Sequence, residues 1–142
     1  MKSIELRSGN LLYYEHTTHI VSGVNDDFIY SWWIKEGKPV IEWKENGEKN
    51  PYIDIISHYE PIPLTDEWMF NFGFKKHKAG MGGADMWQGM SGWGINSDEW
   101  LFRGDTKGGL KLVGYFNTNI LYVHQLQNLY FDLTGEELTI KL

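Results

Sequence analysis

Five histidines are the first residues to weigh for chemistry, and only the run His16-Thr17-Thr18-His19 brings two of them close together in sequence. On a strand, residues three apart face opposite sides, and Thr17, Thr18 and Ile20 favour a strand or turn over a helix that would align both rings. The spacing therefore predicts surface or strand-end histidines and no metal site. His124 falls at the entrance of a predicted helix, where bonding to nearby backbone is the expectation, because the sequence sets no serine, threonine or carboxylate beside it. Gly80-Met81-Gly82-Gly83-Ala84-Asp85 lacks the Lys-Ser or Lys-Thr of a phosphate loop and opens no helix, so it reads as a turn. The carboxylate neighbours Asp26-Asp27, Asp98-Glu99 and Glu136-Glu137 read as solvated turn charges, since a glycosidase pair usually comes from separate elements facing one substrate. With no cysteine in the chain, thiol nucleophiles, disulfides and cysteine-metal sites are excluded. No catalytic set, metal or cofactor is expected.

Tryptophan is the residue type that asks for a function. Trp68 reads as core, and Trp32 beside Trp33 on a strand sends one ring to each face. Trp87, Trp93 and Trp100 lie among glycines and the methionines Met81, Met86 and Met90, in a segment with little periodicity. Flat rings beside flexible methionines suit a protein partner or the face of a sugar, and Asp85 or Asp98 would bond the polar groups of such a ligand. Trp93, flanked by Gly92 and Gly94, is the centre of that expectation. The expected binding set is Trp87, Trp93, Trp100, Met86, Met90, Asp85 and Asp98. Against it stands the reading in which these rings complete the core of a small β-rich domain.

The elements that must carry these residues follow from pattern. Apolar runs at 11–16, 19–24, 28–34, 39–43 and 52–58 are separated by turn residues at roughly ten-residue intervals, as in antiparallel strands joined by hairpins. A strongly curled sheet or small barrel is the expected closure. Thr65-Asp66-Glu67-Trp68 predicts a helix over about 65–72, with Thr65 as cap and Gly73 beyond its end. Strand-like runs return at 85–87, 99–103, 110–116 and 119–123. Leu126, Leu129, Tyr130 and Leu133 predict a second helix over about 123–133, and the alternation of Leu138, Ile140 and Leu142 predicts a closing strand. The fold class is α+β, mainly antiparallel with two short helices, in a single domain spanning 1–142.

Three stretches together resemble a family of small uncharacterised proteins of Bacteroidetes bacteria and of their phages and prophages. They are Leu6-Arg7-Ser8-Gly9-Asn10-Leu11, the segment from Tyr59 through Trp68 to Gly73-Phe74, and Tyr122-Val123-His124-Gln125-Leu126-Gln127-Asn128-Leu129-Tyr130-Phe131 with Thr134-Gly135-Glu136-Glu137-Leu138. The resemblance covers about a third of the chain and implies a bacterial or phage cytosolic setting but no reaction. A formal charge of -6 repels phosphate backbones and anionic membranes. No apolar stretch approaches a membrane span. The expectation is a cytoplasmic, non-enzymatic binding module that holds a protein partner through its aromatic-rich 80–100 region and a sheet edge, or alternatively a small ligand or carbohydrate through stacked tryptophans.

Overall fold

A computed structural model describes residues 5–36, 38–40, 51–78, 85–88, 100–113 and 118–140. The chain is α+β, with antiparallel sheets and two helices, and it divides into two compact units, residues 1–62 and 63–142.

The first unit is built from β1 (Leu11–Tyr14), β2 (Thr17–Val24), β3 (Phe28–Lys35), β4 (Lys38–Pro39), β5 (Tyr52–Ile55) and β6 (Tyr59–Pro61). The sheet order is β4-β3-β2-β1-β6, and β5 also pairs with β3. β4 takes the Ile34–Lys35 end of β3 and β5 the Phe28–Ser31 end, so two short strands share one edge. Asn25 makes the β2–β3 turn, its side-chain oxygen accepting the Asp27 and Phe28 N–H groups at 3.0 and 2.8 Å. Strand alternation sends Leu12, Val21 and Ile29 to one face, where they pack with Leu6 and Tyr59 as the buried core of this unit.

The second unit contains α1 (Asp66–Asn71), β7 (Lys75–His77), β8 (Met86–Gln88), β9 (Trp100–Arg103), β10 (Lys111–Leu112) and α2 (Val123–Thr134), with its four strands in the order β10-β9-β8-β7. Thr65 caps α1 as its sequence predicts, accepting the Trp68 N–H at 3.3 Å. Six residues cannot sustain a helix in water, and Met69, with no exposed surface, anchors this one. Gln125 steadies the start of α2 by accepting the Leu121 and Tyr122 N–H groups at 2.9 and 3.1 Å, and left-handed Gly135 ends it.

Three expectations need correction. The strands do not build one strongly curled sheet or small barrel: they divide over two open sheets, and among the described residues no ladder joins β5 to β6. The reason lies in edge occupancy, because β5 returns to β3 while β6 crosses to the far side of β1, leaving a short strand on each border. The phase of α2 also differs. Its buried residues are Val123, His124, Leu126 and Gln127, whereas Leu129 is only half-buried and Leu133 is exposed. Finally, 137–140 form no strand, although Leu138 is buried. β7 escaped the sequence pattern because Lys75-Lys76-His77 reads as a solvated charge run.

Candidate binding cleft

The expected aromatic surface does not survive at its first member. Trp87 is fully buried on β8, opposite Lys76 of β7 and Phe102 of β9, and its indole N–H donates to the Gly104 carbonyl at 3.2 Å. Lys76 Nζ lies 5.4 Å from the centre of its ring. Asp85 is committed to an ion pair with Lys76 at 3.4 Å, and Lys76 also bonds Asp66 at 2.7 Å. That second contact holds the Asp66 carboxyl below, and the Lys76 ammonium above, their usual ranges. Trp87 is therefore part of the packing of this unit and leaves the binding set, while Asp85 stays half-buried beside Lys76. The strand expected at 85–87 forms, and pairing on both sides of β8 places Trp87 in the interior. Met86 is half-buried on the same strand. Trp100 opens β9, paired with Gln88. Met90, Trp93 and Asp98 lie outside the described residues.

A different site emerges in the first unit, at the hairpin end of β1. Glu15 and His16 form the two-residue β1–β2 connection, and both hold left-handed backbone angles, φ +47° and +65°. Such loops normally take asparagine or glycine, so this turn is held in a conformation its residue types disfavour. It borders a cleft of about 420 Å³. Tyr13 and Tyr14 of β1, Asp54 of β5, Glu60 of β6 and His58, from the 3-10 turn Ile56–His58 that links β5 to β6, complete the lining.

Asp54 organises the wall. One carboxylate oxygen accepts the Tyr14 hydroxyl at 2.6 Å, while the other accepts the His58 Nδ1–H at 2.8 Å and the Ile55 N–H at 2.7 Å. These bonds, led by that from Tyr14, pull the Asp54 pKa down to about 2, and the same contact pushes Tyr14 up to about 12. Asp54 is thus ionised and Tyr14 protonated throughout the neutral range. His58 thus turns Nδ1 towards Asp54 and its Nε2 away from it.

Behind Tyr14 lies a second polar layer. His19 is buried on β2, its Nδ1 3.0 Å from Ser31 Oγ and its Nε2 3.1 Å from Thr17 Oγ1, and Ser31 Oγ is 2.8 Å from the Tyr59 hydroxyl. The His19 ring meets Tyr14 and Tyr52 edge to face, with centroids 5.3 and 5.5 Å away. Burial lowers the pKa of His19 and raises that of Tyr59. The layer fixes Tyr14 from behind, so the wall is ordered before any ligand arrives.

His16 stands exposed in the turn, whereas His19, expected at the surface or a strand end, is buried, because the alternation of β2 turns it to the same face as Val21. None of the cleft residues is singled out as a binding residue by the sequence, because they converge from three strands and two turns. The one local signal is the four-residue spacing of Asp54 and His58, which a single helical turn converts into contact. Among the described residues no group of three or more histidines and carboxylates could hold a metal ion, and no helix is long and apolar enough to cross a membrane. Neither a protein-family model, nor a curated protein, nor a solved structure matches the chain.

Proposed function

We propose that this chain is a non-enzymatic binding module that captures a small polar ligand in the cleft bordered by Glu15, His16, Asp54 and His58. The observation that carries this reading is the ordered wall: Tyr14, Asp54 and His58 are tied together within 2.8 Å before binding, so little side-chain entropy is lost when a ligand docks. Two disfavoured backbone conformations at Glu15 and His16 add to it, since such conformations cluster where ligands are held. The tryptophan-stacking version of a ligand site loses Trp87, which is buried, while its centre, Trp93, lies outside the described residues. A bacterial or phage-infected cytoplasm as the setting rests on the family resemblance alone.

The test is amide chemical-shift mapping of the full chain against a panel of small polar compounds. Binders should move resonances of residues 13–16 and 54–60, and Tyr14→Phe should weaken them at least fivefold while the chain stays folded. Binders that leave those resonances still would place the site elsewhere.

A second reading keeps the protein partner and moves it to the edge of β5 that pairs with no other strand among the described residues. Phe28 pairs with Ile55 and Tyr30 with Ile53, and Phe28, Ile53 and Ile55 are 40%, 57% and 39% exposed, so apolar cross-strand pairs stand open to water at a strand edge. Loss of a partner on Ile53→Glu, with cleft binding unchanged, would favour this reading.

A further inference from the structure

We infer that the ligand of the cleft carries an organic ammonium group. This rests on the cleft being a ligand site, and it follows from which hydrogen-bonding valences remain after the wall has formed. The Tyr14 hydroxyl and the His58 Nδ1–H are both spent on Asp54. Tyr14 keeps a phenol oxygen as an acceptor, and His58 keeps its Nε2. Asp54, Glu15 and Glu60 also accept only, and among the described residues neither lysine nor arginine lines the cleft. The Tyr13 hydroxyl and the His16 ring can donate or accept, so the one-sided part of this surface is its three carboxylates, and these call for a ligand that brings donors. An ammonium brings up to three N–H groups together with a positive charge, and a charge-assisted bond to a carboxylate is about twice as strong as a neutral one. Tyr13 and Tyr14 contribute ring surface to the same cleft, on which a desolvated ammonium gains further attraction. A bare metal ion is the poorer occupant, because no group of three or more histidines and carboxylates among the described residues is arranged to hold one. An anionic ligand would meet three carboxylates and, among the described residues, neither lysine nor arginine.

One chemistry has two sources, a free polyamine or a lysine side chain of a partner protein. The full chain is titrated at pH 7 and 0.15 M salt with spermidine, with the peptide acetyl-Gly-Lys-Gly-amide, with glucose and with calcium, following backbone amide shifts. Spermidine or the lysine peptide should move residues 13–16 and 54–60, and Glu15→Gln with Glu60→Gln, both exposed positions, should weaken that binding at least tenfold without unfolding the chain. Tighter binding of spermidine assigns the free amine, and tighter binding of the peptide assigns the side chain. If glucose moves these amides and the amines do not, the cleft stands and the ammonium inference falls. If calcium binds there more tightly than either amine, the inference falls as well. Amine-induced shifts scattered over the surface and unaltered in the double variant would reduce the effect to the general field of an acidic protein and overturn it. If no probe moves the cleft amides, the reading of the cleft is itself wrong.

Discussion

Single residues in this protein are defined by what they have already bonded. His19 shows this through pH: its folded pKa lies below the ordinary value because burial disfavours the imidazolium, so the unfolded chain binds the proton more readily. The sign follows from linkage. Stability contributed by neutral His19 is intact above the unfolded pKa of about 6.5 and declines as pH falls below it, until the folded form also protonates. Urea midpoints should drop between pH 7.5 and pH 5, and His19→Gln should flatten that slope; a slope unchanged in the variant would assign the effect elsewhere. Asp54 behaves in the same sense at lower pH, its contribution being present above about 4 and lost as pH approaches 2. Tyr14→Phe removes the largest cause of that depression, so a carbon-detected titration should find the Asp54 carboxyl moved back up towards 3.8. Trp87 is the residue whose environment differs most from its sequence context. Truncation to alanine leaves a cavity in the four-stranded sheet and frees the Gly104 carbonyl, at an expected cost of about 3–5 kcal/mol by urea melts.

At the scale of elements, α2 gives the sharpest discrimination. Leu126 has no exposed surface and Leu129 is half-buried, although the two occupy neighbouring positions on one heptad-like stripe. Leu126→Ala should therefore cost about 2–5 kcal/mol, and Leu129→Ala about 1 kcal/mol. Denaturant midpoints of the two variants, measured side by side, decide whether the buried face is the one centred on Leu126. The shift of the stripe towards the helix N-terminus has a visible cause. The backbone before α2 is tied down by the Leu64 N–H donating to the Leu121 carbonyl at 2.8 Å and by the Pro63–Tyr122 bridge, whereas at Phe131 and Leu133 the helix face stands open to water.

Over the whole molecule, charge is the property that reaches furthest. Residues 1–62 carry 6 basic and 10 acidic side chains, a net of -4, and residues 63–142 carry 7 and 9, a net of -2. Neither unit offers a positive field to a nucleic-acid backbone, and at β7 the basic run is partly neutralised by the pairing of Lys76 with Asp66 and Asp85. Fluorescence anisotropy with a random duplex at 0.15 M salt should give a dissociation constant weaker than about 10⁻⁴ M, the weak end of ordinary non-specific binding. Micromolar binding that weakens steeply with added salt would expose a basic surface that these sums conceal.

The sequence by itself determined what is encoded within a few residues. Alternation and turn chemistry located β1, β2, β3 and β5, because a strand's inward face and an Asn25 turn are local matters. Thr65 and Gly135 marked the start of one helix and the end of the other, since capping bonds span only three or four positions. Tertiary structure decided the rest. Whether β5 joins β3 or closes against β6 depends on edges competing for one strand, which no local pattern encodes. The sequence places Trp87 on a strand but leaves its face open between core and binding surface, and only the strands on either side of β8 make it core. The cleft is the extreme case: Tyr14 and Asp54 are 40 positions apart, and their hydrogen bond exists only because the sheet register sets β1, β5 and the turn before β6 around one small volume.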